Sequence, residues 1–127
     1  MDAKHIDLRV ENFPDKTGNY WRMVDLNANG NDRFKNPHAK SPDTIRWHAP
    51  EGHAVSIVIL SDSPFSYHNE PVTNKVIDIP AGEKSDKYDI AEVSEGLYEY
   101  AALVKEGEKD YTYVSGESSP PGVVVYP

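Results

Sequence analysis

His53-Ala54-Val55-Ser56-Ile57-Val58-Ile59-Leu60-Ser61 is apolar at almost every position from 54 to 60. It is far shorter than the ~20 residues that a membrane-spanning helix needs. It is rich in β-branched side chains and is preceded by the turn signal Pro50-Glu51-Gly52, so it reads as a central strand covered on both faces. Upstream, Thr44-Ile45-Arg46-Trp47 enters that turn as a strand. Ile6, Leu8 and Val10 alternate with His5, Asp7 and Arg9, the pattern of a half-buried strand. Residues 19–25 offer another. Downstream, Val76-Ile77-Asp78-Ile79 ends at Pro80, whose missing amide hydrogen stops a ladder. Tyr88 and Ile90 alternate in 86–90. Residues 96–104 place Tyr98, Tyr100, Ala102 and Val104 on one face, and Glu106-Gly107-Glu108 turns that strand into a hairpin with 110–114. Gly122-Val123-Val124-Val125-Tyr126 closes the chain.

The composition agrees with this pattern. Val and Ile together number 19 against 5 Leu, with 8 Tyr, a bias toward pleated strands. Short strands at near-regular spacing, with Gly and Pro between them and no sustained 3.6-residue period, predict an all-β, two-sheet antiparallel Greek-key sandwich. The 127 residues suffice for one domain spanning 1–127. The polar connections 27–43 and 61–73 are expected to collect at the ends of the sandwich and carry its binding functions.

The formal charge is −8, which disfavours nucleic acid and anionic membrane surfaces as partners. Residues 1–48 carry 8 basic and 7 acidic side chains, whereas 49–127 carry 5 and 14, so the acidity lies in the second part. Cysteine is absent, which excludes disulfides, thiol catalysis and thiolate-ligated metals. The polar start Met1-Asp2-Ala3-Lys4-His5 has no apolar leader. It fits a cytoplasmic protein as the sequence stands, or a periplasmic or secreted one after removal of a leader.

Three stretches resemble the cupredoxin family, Greek-key sandwiches that often hold blue copper. Ile45-Arg46-Trp47 followed by Pro50, Gly52, His53, Ala54 and Val55 is similar to the strand-turn-strand bearing that family's first histidine ligand. Ile79-Pro80-Ala81-Gly82-Glu83 with Gly96-Leu97-Tyr98-Glu99-Tyr100 resembles its proline-glycine turn and the strand entering the copper loop. Pro121-Gly122-Val123-Val124-Val125 resembles its closing strand. The resemblance implies a cupredoxin-like sandwich, but no histidine follows His68 and no cysteine exists, so a blue-copper centre cannot be built. Ser94-Glu95-Gly96-Leu97-Tyr98-Glu99-Tyr100 also resembles the tyrosine corner of immunoglobulin-like domains, which makes that sandwich the alternative.

Hydrolase, zinc-protease, phosphate-loop and dinucleotide motifs are absent, which favours a binding domain over an enzyme. Its ligand could be a protein or a small molecule, met by aromatic side chains of Tyr20, Trp21 and Tyr67 beside the long connections. The alternative is a metal-binding protein. Asp25, Asn27, Asn29 and Asp32, with Gly30 sixth in a 25–36 loop, have a calcium-loop spacing, although Asn36 stands at position twelve; a turn at Asn29-Gly30 explains the same residues. His48 and His53 flank the Pro50-Gly52 turn and are candidate transition-metal ligands. Calcium is the one cofactor that the spacing suggests. An exposed edge strand could pair two copies into a homodimer.

Overall fold

A computed structural model describes residues 3–117 and 120–127. Among them the strands are β1 (His5–Asn12), β2 (Trp21–Asp25), β3 (His38–Ala39), β4 (Thr44–His48), β5 (Val55–Ile59), β6 (Phe65–Tyr67), β7 (Glu70–Pro71), β8 (Lys75–Ile79), β9 (Tyr88–Ile90), β10 (Gly96–Glu99), β11 (Ala101–Lys105), β12 (Tyr111–Tyr113) and β13 (Gly122–Val125). The helical segment among the described residues is a 3₁₀ turn at Gly30–Phe34, so the fold is all-β. No helix in that range is long and apolar enough to cross a membrane.

The strands form three open sheets, ordered β2-β1-β4-β9-β6-β7, β10-β13-β3 and β12-β11-β5-β8. The third is antiparallel throughout, but β1 lies parallel to β4 and β3 parallel to β13. The expectation of purely antiparallel sheets is therefore corrected at two places. Parallel neighbours need a long crossover, and residues 13–43 supply one between β1 and β4.

Residues 96–104 do not form one strand. At Tyr100 the run changes partners: β10 pairs with β13, β11 pairs with β5, and the Tyr100 amide donates to the Pro121 carbonyl (3.1 Å). One stretch of chain thus belongs to two sheets. Strand β5 is central, between β11 and β8, as its sequence predicts. Its two faces differ, however: Val55, Ile57 and Ile59 are buried while Ser56 and Val58 are half-buried. The long connections also carry structure. Residues 27–43 hold the 3₁₀ turn and β3, and 61–73 hold the β6-β7 hairpin. The Asn29-Gly30 pair does not make a hairpin, because β2 pairs back onto β1. The two-residue hairpin loop is instead His68-Asn69, both at positive φ (51° and 67°), between the paired Tyr67 and Glu70.

One apolar core draws on all three sheets. At its centre Trp47, fully buried, packs edge-on against Phe65 and Tyr100, with ring centroids 5.3 and 5.4 Å away. The Trp47 Nε1–H donates to the Tyr100 hydroxyl oxygen (2.9 Å), which satisfies a buried polar group that would otherwise oppose burial. Burial pushes the Tyr100 phenol far above its ordinary pKa, and the hydrogen bond from Trp47 offsets only part of that rise. The Tyr98 hydroxyl donates back to the Ser94 carbonyl (2.7 Å), tying β10 to the turn before it.

Candidate functional site

Alternation along β1 and β4 sends Ile6, Leu8, Val10, Ile45 and Trp47 into the core. His5, Asp7, Arg9, Thr44, Arg46 and His48 therefore share the outer face, and the parallel register sets Asp7 opposite Arg46. Asp7 becomes a hub: its Oδ1 accepts from His48 Nε2 (2.8 Å), Arg46 Nε (3.1 Å) and His5 Nε2 (3.1 Å). Burial raises the Asp7 pKa, but the hydrogen bonds from His48, Arg46 and His5 outweigh it and bring the carboxyl to about 2. Thr44 completes the chain by donating its hydroxyl hydrogen to His5 Nδ1 (2.7 Å).

Beside this hub a groove of about 520 Å³ opens between the end of β1, the start of β2, the end of β4 and the turn after it. Arg9, Glu11, Trp21, His48, Glu51 and His53 are among its lining. The Pro50-Gly52 turn positions Glu51 and His53. Gly52 sits at φ +82°, and the Pro50 carbonyl accepts from the Gly82 amide (2.9 Å). Gly82 has φ +73°, and a Cβ there would lie 3.0 Å from the Glu51 carboxylate, so glycine lets Glu51 lie across the neighbouring turn.

Each groove histidine has one ring nitrogen committed. His53 Nδ1 meets the Lys105 carbonyl (3.2 Å), and His48 Nε2 meets the Asp7 carboxylate (2.8 Å). Both partners only accept, so those nitrogens carry the hydrogens. In the neutral rings His53 Nε2 and His48 Nδ1 keep their lone pairs, and neither makes a hydrogen bond among the described residues. The His53 ring lies edge-on to Trp21, centroids 4.9 Å apart. Behind it Glu106 accepts from the Thr112 hydroxyl, Asn19 Nδ2 (2.6 Å) and Trp21 Nε1 (2.9 Å). Those three hydrogen bonds, in that order of size, bring its pKa to about 2.

The fold thus brings His48 and His53 to one groove, and it disperses the three aromatic candidates. Trp21 lies on the groove wall but is only 3% exposed. Its position in phase with buried Met23 directs it to the core, so it offers no open stacking surface. Tyr20 is exposed next to Arg22, 6.0 Å from its ring centroid. Tyr67 sits elsewhere on the six-stranded sheet, packed on Tyr88, and its hydroxyl donates to Asp86 (2.9 Å), an interaction that raises its pKa.

The calcium-spaced residues are engaged in local bonds. Asp25 Oδ1 accepts from the Asn27 amide (2.9 Å), while the Asn27 side chain bonds the Asp7 amide (2.9 Å) and the His5 carbonyl (3.2 Å). Asn29 precedes the 3₁₀ turn without a side-chain capping bond, and Asp32 pairs with Lys35 (3.1 Å). Asn36 is buried, accepting from the Gly122 amide (3.2 Å). No group of three or more His, Asp or Glu side chains arranged to hold an ion occurs among the described residues.

Sequence reasoning missed Asp7, Arg46, Glu51 and Glu106. The alternation of polar residues in His5-x-Asp7 and Thr44-x-Arg46-x-His48 was the available signal, but only the β1-β4 register joins the two sets. No protein-family model matches the chain, and a search of curated proteins found no similar sequence.

Proposed function

We propose that the protein is a non-catalytic binding domain built on a cupredoxin-like Greek-key sandwich without a blue-copper site, and that the groove beside the Pro50-Gly52 turn receives its ligand. The sandwich reading is supported by the core common to all sheets and by the 96–105 run shared between two of them.

The observation that carries the functional reading is the pair of uncommitted acceptors, His48 Nδ1 and His53 Nε2, beside the Glu51 carboxylate in a groove about the size of a small-molecule site. Acceptors select a ligand rich in donors, which means an amine or a polyol. Titration of ¹⁵N-labelled protein with a panel of polyols and primary amines tests this. Saturable shifts at residues 9–12, 21 and 48–53, lost in Glu51→Gln and His53→Ala, are the expected result. A panel that perturbs no groove residue refutes the reading.

A second reading, transition-metal binding, is favoured by one observation. Both groove imidazoles donate their other N–H to a carboxylate or a backbone carbonyl, the outer hydrogen bonds that metal-ligating histidines usually make. Copper or zinc that raises the thermal midpoint of metal-stripped protein, with the rise lost in His53→Ala, supports it. A calcium response lost in Asp25→Ala would instead assign binding to the 25–36 loop.

A further inference from the structure

The four-stranded sheet has one face in the core and an outer face whose composition is set by register. Tyr113 lies opposite Leu103, Leu103 opposite Ser56, and Ser56 opposite Asp78. In the next row Ala101 lies opposite Val58 and Val58 opposite Val76; on the other side Tyr111 lies opposite Lys105. Tyr113 is 76% exposed and Val76 54%. Single exposed apolar residues are ordinary, but a contiguous in-register set marks an interaction surface.

The charges on this face indicate what covers it. The four strands place one cation, Lys105, and one anion, Asp78, among its outward residues, so the face is neutral on a chain of net charge −8. An identical copy carries the same −8, and a neutral face is where two such molecules repel least. Lys105 on β11 and Asp78 on β8 flank the central strand β5. A two-fold axis lying in the interface over β5, perpendicular to the line between them, sets each Lys105 against the other copy's Asp78. One symmetry operation thereby forms both ion pairs. A hollow of about 380 Å³ between the two residues, with Ser56, Pro80 and Tyr111 in its lining, leaves room for the opposing side chains.

We propose that two copies of this chain associate face to face through the outer surface of the β12-β11-β5-β8 sheet, with Lys105 of each copy opposite Asp78 of the other. Strand spacing and rise give a patch on the order of 400 Å² per copy, about half of a standard interface. An interface this small lies at the weak, transient end of the size range.

Sedimentation equilibrium of the full chain from roughly 10 μM to 1 mM, the range in which a weak dimer forms and dissociates, reads the association directly. Lys105→Glu and Asp78→Lys each place like charges together and should weaken association about tenfold or more, while the double swap should restore it to within about threefold. Tyr113→Ser removes exposed apolar area without touching the core and should also weaken it. Thermal midpoints at low concentration check that the variants fold. A wild-type protein that stays monomeric throughout, association unchanged in the single variants, or a double swap that fails to restore it would each overturn the proposal.

Discussion

Replacing Tyr100 by Phe removes one oxygen and leaves the ring that packs against Trp47 and Phe65. The lost oxygen is the acceptor for Trp47 Nε1–H, 2.9 Å away in the fully buried centre of the core. Water cannot replace it, so the indole N–H is left unpaired, at about 1–3 kcal/mol. For a domain of this size, each kcal/mol moves the thermal midpoint by roughly 3–5 °C, so the midpoint should fall by about 6–10 °C for a mid-range loss. Trp47→Phe removes the donor and also opens a cavity, so its larger loss is not diagnostic alone. The cycle through Trp47→Phe/Tyr100→Phe isolates the hydrogen bond, and a coupling of about 1–2 kcal/mol is expected by urea denaturation. A Tyr100→Phe midpoint within about 1 °C of wild type, or a coupling near zero, would refute the assignment of this bond as a structural contact.

Asp7→Asn tests the hub under β1 and β4. Its carboxyl is depressed from 3.8 to about 2, so its stabilisation is complete above about pH 4 and is lost as pH falls through 2. The wild-type protein should therefore be about 1–2 kcal/mol more stable at neutral pH, and the variant should lack that part of the acid limb in denaturation between pH 4 and 2. Glu106→Gln should lower the midpoint at pH 7, with the difference shrinking toward pH 2, because the Glu106 carboxyl is also held down to about 2. Two guanidinium groups, of Arg22 (3.8 Å) and Arg33 (4.8 Å), lie over the Phe34 ring, with Phe13 edge-on at 5.4 Å. Phe34→Ala should cost about 1 kcal/mol and speed amide exchange across 27–36 before the core is affected.

Patterns of alternation exposed the strands because each strand meets the core on one side at a period of two. Leu8, Val10, Ile45 and Trp47 were legible in this way, as was the Glu106-Gly107-Glu108 hairpin, whose Glu106 amide donates to the Asp110 carbonyl (2.9 Å). Alternation is silent about partners. Residues 96–104 keep their phase through Tyr100 although the sheet changes there, so the break had no local signature. Trp21 was misplaced by its polar neighbours Asn19 and Tyr20, although its phase with Met23 already directed it inward. The Asp7 hub was hidden by distance along the chain, since His5 and Asp7 meet Arg46 and His48 only when β1 and β4 pair in parallel.

The same separation explains why the groove and the core can be altered independently. Trp47, Tyr100 and Phe65 are held by packing and one internal hydrogen bond, and none of them lines the groove. His53 and Glu51 sit on a turn held by backbone hydrogen bonds and glycine geometry, to which the His53 ring adds a bond to the Lys105 carbonyl. Glu51→Gln therefore leaves the turn in place, and a change in binding there reports on the groove itself. Trp21 is the exception, because it joins the core, the His53 ring and Glu106 at once. Loss of binding in a Trp21 variant would have to be measured beside its stability before it could be ascribed to the groove.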